Sequence, residues 1–341
     1  MTDTPSLLDY LAALPQHLYP QRLLSRLMWR AARVRAPWVK DRLIRGFIRR
    51  YGVDMAQALD PDPASYPDFN RFFTRALGPD ARVLPGTMGP EAGAVVSPAD
   101  GRVSALGLMD AGRLVQAKGH EYTVAALLQG NAADAQVFMG GRFLTVYLSP
   151  RDYHRVHMPI EGRLRAMRYV PGRRFSVNAR TTRVIPRLFA RNERVILLFD
   201  TQVGPMALVM VGAILVGSIG TVWAGTVTPR GRPIPQVTNT PPENRQQPID
   251  SHGTPHGRLL PRAALVHTWR YDEGGQAELT FARGQEIGRF NMGSTVILLL
   301  PPDSVTWAPS LSPGTPVRMG MVVGSMVSGP LAPRSAGGRT I

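Results

Sequence analysis

No cysteine occurs in the 341-residue chain, which excludes a disulfide framework and a thiolate metal site and suits a reducing compartment. Lysine is nearly absent too; Lys40 and Lys118 are the two present, so a lysine-anchored cofactor has few places to attach. Aromatic residues are only 7% of the chain. That is thin for a nucleic-acid binder, which stacks bases on aromatics interleaved with cations. No apolar run reaches the roughly 20 residues of a membrane-spanning helix. The longest, MALVMVGAILVG from Met206, reads as two buried strands. The opening MTDTPSLLDYLAALP lacks the positive n-region of a secretory signal and carries Asp3 and Asp9 instead.

Positive charge is what the chain has in excess. Its net charge is +16, while 44% hydrophobic and 19% charged residues describe an ordered globular polypeptide. Such a charge predicts a polyanionic partner, either nucleic acid or an anionic lipid surface. The excess is heaviest on two amphipathic stretches, which favours lipid. RLLSRLMWRAARVR (22–35) and WVKDRLIRGFIRRY (38–51) are separated by Pro37, a helix boundary. In the second, Val39, Leu43, Ile44, Phe47, Ile48 and Tyr51 recur at helical spacing, with Lys40, Arg42, Arg45, Arg49 and Arg50 largely opposite. Two readings stay open: ordinary helices packed on the domain, or an interfacial module with Trp29, Trp38 and Phe47 inserted in lipid.

From about Val95 the pattern changes to short strands punctuated by Gly and Pro. RFLTVYL (142–148), RLRAMRYV (163–170), RVILLF (194–199) and AELTFA (277–282) have ordinary strand length, and Thr295 to Leu300 is an apolar run suited to a strand covered on both faces. The expected fold is therefore α+β, with N-terminal amphipathic helices over 1–65 and a largely antiparallel β-rich domain over 66–327. The Pro-rich, aperiodic stretch from Pro229 to Arg262 reads as a surface loop interrupting that domain, and Ser328 to Ile341 as a frayed tail.

Three polar groups stand out against this background. Asp100 sits on a turn in VVSPADGRV, His154 and His157 lie in YLSPRDYHRVHMP, and Ser294 follows Gly293 at the head of the apolar run. A carboxylate that orients an imidazole, and an imidazole that takes a serine proton, are the parts that activate a hydroxyl. Each piece also has a plain alternative: Asp-Gly is a common turn pair, and Gly-Ser is common at strand ends. The two histidines are bracketed by Pro150 and Pro159 without an acidic partner set, so no metal site is expected.

Taken in order, SPADGRV, KGHEYT, YLSPRDYHRVHMP, FSVN, LFARNERVILLFDT, VGSIGTVWAG and GQEIGRFNMGSTVILL resemble the bacterial type of phosphatidylserine decarboxylase. The likeness runs from about Tyr66 to Leu300, with the Pro-rich loop as its main interruption. It implies a proenzyme that cuts itself between Gly293 and Ser294, with Asp100, His157 and Ser294 as the self-cleavage triad. Met292 stands where the family usually has Leu, a volume-conserving exchange. The resemblance further implies that Ser294 becomes a covalent pyruvoyl group, the cofactor, at the head of a small chain 294–341 that stays paired with a large chain 1–293. His154 is implied in substrate positioning or proton transfer.

What the family implies for the reaction also has a physical reason. Decarboxylating an α-amino acid headgroup leaves an electron pair that needs a sink, and a carbonyl on the enzyme supplies one. Pyridoxal phosphate would do the same, but only Lys118 is placed to hold it and no phosphate-binding Gly-rich loop lies nearby. The implied partners are phosphatidylserine and an anionic membrane surface at the cytoplasmic face, with the processed heterodimer open to further dimerisation and no nucleic acid. A serine hydrolase using the same three residues is the rival enzyme. It predicts an intact chain, where the proenzyme predicts two.

Overall fold

A computed structural model describes residues 6–17, 19–86, 88–117, 120–129, 132–214, 218–228, 266–271, 278–291 and 294–327. The Pro-rich stretch 229–262, the tail 328–341, Lys118 and the Met292–Gly293 pair lie outside the described residues.

The chain begins with helices α1 (Leu7–Ala13), α2 (Gln21–Ala31), α3 (Pro37–Tyr51) and α4 (Phe69–Phe73). Ser6 and Asp9 form a reciprocal capping box at the head of α1. Pro37 occupies the first turn of α3, where its missing N–H costs nothing, and Gly52 ends the helix at φ 65°. The amphipathic period of α3 does form a helix, but its apolar face turns inward. Ile44 is fully buried in a small core with Ala32, Val53, Tyr66, Phe69, Phe72 and Phe73, against which Phe47 and Ile48 pack. The Phe47 ring lies 5.1 Å from Phe69 and 5.9 Å from Phe73, edge-on to both. Phe47 is thus partly buried against this core, as the first of the two open readings has it, and is not a freely exposed candidate for lipid insertion. Trp38, 78% exposed, and Trp29, 39% exposed, keep the surface positions expected of them. Because Tyr66 to Phe73 complete this core, packing of the helical region continues past residue 65.

Strands β1 (Ala94–Val96), β2 (Gly101–Leu108), β3 (Arg113–Ala117), β4 (His120–Thr123), β5 (Arg142–Leu148), β6 (Arg155–His157) and β7 (Gly162–Val170) come next. They are followed by β8 (Arg194–Thr201), β9 (Gly204–Gly212), β10 (Ile219–Thr221), β11 (Gly225–Thr226) and β12 (His267–Arg270). Last are β13 (Thr280–Phe281), β14 (Glu286–Phe290), β15 (Ser294–Leu300), β16 (Val305–Trp307), β17 (Pro316–Val317) and β18 (Val322–Met326). Nine strands form the main sheet, in the order β12-β7-β8-β9-β15-β5-β2-β17 with β13 also on β7. A four-stranded sheet has the order β11-β10-β14-β6. The ladders between these strands are antiparallel, as an α+β fold of this composition predicts.

β15 is the spine of the main sheet. It pairs along its length with β5 and β9, and every one of its residues is buried. A strand enclosed on both edges and both faces has no polar side to alternate, which is why its sequence is a continuous apolar run. Of MALVMVGAILVG, expected to form two strands, residues 206–212 lie in β9, Ala213 and Ile214 lie in no strand, and 215–217 lie outside the described residues. β8 and β9 pair as a hairpin from Thr201↔Gly204 to Arg194↔Val211, so no break occurs before Gly212. Of AELTFA, only Thr280 and Phe281 are strand, and Ala277 lies outside the described residues.

Candidate active site

The chain passes repeatedly between the two sheets at one seam, and the singled-out residues lie on or beside those passages. β5 ends at Leu148 in the main sheet, and the chain reaches β6 of the small sheet at Arg155. β14 ends at Phe290 in the small sheet, and β15 begins at Ser294 in the main one. Ser294 pairs with Leu148 and Arg289 with Arg155, so the two passages are neighbours at both ends. Between them the Phe290 N–H donates to the His154 carbonyl at 2.9 Å. A third passage leaves β9 at Gly212, opposite Ser294, and joins β10 at Ile219, opposite Phe290. Asn291 ties it in, donating from its backbone N–H to the Ser218 carbonyl at 2.9 Å and from Nδ2 to Ser218 Oγ at 2.5 Å. The segment from β1, which lies in a separate three-stranded sheet of order β1-β18-β16, to β2 of the main sheet carries Asp100; there the Pro98 carbonyl accepts the His157 N–H at 2.8 Å.

Asp100 precedes Gly101, where a Cβ would lie 2.2 Å from the Tyr147 carbonyl oxygen. Only glycine lets the turn come this close to β5. The Asp100 carboxylate is held on both sides: Oδ1 accepts the Met319 N–H at 2.7 Å, and Oδ2 accepts a charge-assisted bond from Arg82 Nη2. His157 donates from Nδ1 to the Gly284 carbonyl at 2.8 Å, which leaves Nε2 as an acceptor for the Tyr153 hydroxyl at 3.0 Å. Burial pushes the His157 imidazole below its ordinary pKa, with the Gly284 bond working the other way. Burial also raises the Tyr153 phenol, so it stays a proton donor.

His154 is fully buried beside the Phe73 ring, at 4.1 Å between centroids. Its Nδ1–H donates to the Asp152 carbonyl at 2.7 Å, and its Nε2 has no partner among the described residues. Burial lowers its pKa to about 3, so the ring is a neutral acceptor at physiological pH. Ser294 is likewise fully buried, and its Oγ has no partner among the described residues; the adjacent Thr295 hydroxyl shares that property.

The fold therefore brings Asp100, His154, His157 and Ser294 to one seam without linking them by direct hydrogen bonds. Arg82 and Met319 hold Asp100, and Gly284 and Tyr153 hold His157. Arg82 had no signal in the sequence, being a lone arginine 18 residues before its partner. Tyr153 lay inside a motif noted for its histidines. Asp100, Arg82 and Tyr153 also line a cavity of about 540 Å³, together with Arg75, Asp152 and Arg318. Among the described residues no group of three or more His, Asp or Glu is arranged to hold a metal ion, and no helix is long and apolar enough to cross a membrane.

Comparison with known proteins gives this seam a family. The model of the family described as phosphatidylserine decarboxylase matches residues 69–325, and a second model, described as PSD, matches 11–52. A phosphatidylserine decarboxylase proenzyme of Azotobacter vinelandii is 49% identical over 316 residues, covering 93% of this chain and 98% of its own. The proteins of that name from Bordetella bronchiseptica and Pseudomonas paraeruginosa are 50% and 51% identical, covering 92% and 89% of this chain and 93% of each relative. With a matched region that contains Asp100, His154, His157 and Ser294, the chain belongs to the phosphatidylserine decarboxylase family of carboxy-lyases.

Proposed function

We propose that the chain is a proenzyme that cuts itself between Gly293 and Ser294 and then decarboxylates phosphatidylserine to phosphatidylethanolamine and carbon dioxide. The observation that carries this reading is the Ser294 hydroxyl, fully buried at the first position of the central strand with no hydrogen-bond partner among the described residues. A buried hydroxyl left unpaired costs about 1–3 kcal/mol, and a reactive role is one reason to keep it. Ser294 Oγ attacks the Gly293 carbonyl, its proton passes to a base, and the amide becomes an ester. Elimination across Cα–Cβ of residue 294 then releases the Gly293 carboxylate. Hydrolysis expels ammonia and leaves a pyruvoyl group in place of the serine. Glycine before the serine leaves the attacked carbonyl open.

His157 is the base: burial keeps it neutral, and the Gly284 bond leaves Nε2 free to accept once Tyr153 moves aside. Asp100, fixed by Arg82 and Met319, contributes negative charge that favours the protonated imidazole. The pyruvoyl carbonyl supplies the electron sink for loss of carbon dioxide. His154 Nε2, neutral and without a partner among the described residues, is the group to hold the substrate's amino group or to move a proton at its α-carbon. Trp29 and Trp38, the exposed leucines of α1 and α2, and the arginines of α3 fit attachment to the anionic cytoplasmic face of a membrane, where the lipid substrate resides. The large and small chains remain associated, because β15 of the small chain is enclosed by β5 and β9 of the large one.

The test separates maturation from turnover. Asp100→Asn, His157→Ala and Ser294→Ala each accumulate the uncut chain on a denaturing gel, because nucleophile activation acts as a unit. His154→Ala cleaves but decarboxylates poorly. If His154→Ala blocks cleavage and His157→Ala does not, the two roles are reversed.

A further inference from the structure

A second polar cavity, of about 550 Å³, lies where the segment joining α2 and α3 meets the small sheet. Arg33 and Arg35 of that segment line it, with Arg71 of α4 and Arg289 of β14. Asp68 is the one carboxylate among the lining residues, and it is engaged in accepting the Arg71 N–H at 2.9 Å. Glu286 pairs with Arg289 at 3.2 Å, while Arg35 and Arg71 have no ion pair with another described residue. The Arg33 guanidinium lies over the Trp29 ring at 4.1 Å and donates to the Trp29 carbonyl at 3.1 Å, so it is held in place. Burial lowers its pKa, opposed by Asp68 and reinforced by Arg71. The cavity thus gathers four guanidinium groups against one carboxylate, with Asn70, Thr74, Thr221 and Asn291 as neutral hydrogen-bonding groups.

Its surroundings indicate where the anion comes from. Leu23 and Leu27 of α2 and Trp38 of α3 are exposed on either side of Arg33 and Arg35 in the sequence. Apolar surface beside a cluster of guanidinium groups suits an anion carried on acyl chains rather than a free ion. Asn291, which also lines the cavity, lies three residues before Ser294. We propose that this cavity binds the phosphate of a phospholipid headgroup, with Arg33, Arg35, Arg71 and Arg289 as its ligands. Guanidinium matches a phosphate's paired oxygens in a planar fork, which lysine does not. The proposal rests on the reading that the chain works on a phospholipid.

The experiment uses the full-length Ser294→Ala chain, which cannot be processed, so binding is read apart from cleavage and turnover. Titration calorimetry is run with short-chain phosphatidylserine below its micelle concentration, and separately with inorganic phosphate. Arg35→Gln with Arg71→Gln should weaken lipid binding at least about tenfold through loss of charge-assisted contacts. Arg113→Gln with Arg180→Gln, equal in charge and outside the cavity lining, should leave it unchanged. All four side chains are exposed, so both variants should unfold at the parent's temperature. Equal losses in the two variants, or none in the first, overturn the proposal. Inorganic phosphate binding as tightly as the lipid overturns the lipid assignment in favour of a free-phosphate site. A chain that binds lipid here yet stays uncut when Ser294 is restored refutes the proenzyme reading and leaves this site standing.

Discussion

Replacing Arg82 with Met tests whether Asp100 is held as described. The ion-paired side chains are 8% and 13% exposed, so the pair is largely withdrawn from water. Removing one partner of a buried pair leaves an uncompensated charge and typically costs 3–5 kcal/mol. Here Met319 still donates to Oδ1, and the adjoining cavity can admit water to Oδ2. Both favour the lower end, about 3 kcal/mol, against a total of roughly 5–15 kcal/mol for a typical folded protein. The assay is urea unfolding of Arg82→Met in a Ser294→Ala background, so that a single uncut chain unfolds. Adding Asp100→Asn removes the stranded charge and should restore about half of the loss, giving a non-additive cycle. A cost under about 1 kcal/mol, as for a surface pair, or strict additivity would refute the reasoning.

His154 makes a pH prediction. Its folded pKa of about 3 lies below the unfolded value, so between the two the unfolded chain binds a proton that the native chain does not. Stability should therefore fall as pH drops below about 6.5, by up to about 1.4 kcal/mol per unit from this group. His154→Gln should flatten that slope in urea unfolding measured from pH 7 to 5; an unchanged slope contradicts the assigned burial. Phe47→Ala should cost about 2–3 kcal/mol, reduced from a fully buried Phe because its ring is only partly enclosed, as read by thermal unfolding. Trp38→Ala should leave stability within about 0.5 kcal/mol and weaken sedimentation with anionic vesicles. A stability loss for Trp38→Ala equal to that for Phe47→Ala would contradict the surface position of Trp38.

Much of this was legible in residues whose local environment decides their form. β5 and β15 are β-branched and apolar runs bounded by Gly and Pro, and both match their expected limits to within a residue. The helical period of α3 was equally plain, but its destination was not. The face bearing Ile44 and Phe47 is apolar whether it meets lipid or protein, and its partners, Tyr66 to Phe73, lie beyond an intervening turn. Asp100, the histidines and Ser294 were found through motifs, while Arg82 and the Gly284 carbonyl were not. Those contacts join segments that lie far apart in the chain and meet where sheets come together, and sheet order is a long-range property that no local pattern encodes. The basic cavity has the same origin, since its arginines come from three separate elements.

The central claim is that Ser294 is consumed to make the catalytic group, and mass spectrometry of the purified full-length chain tests it most directly. The account predicts a large chain ending at Gly293 and a small chain starting at position 294, whose N-terminus is blocked to Edman degradation and reacts with carbonyl reagents. A small chain with a free N-terminal serine, or an intact chain with full decarboxylase activity, would contradict it.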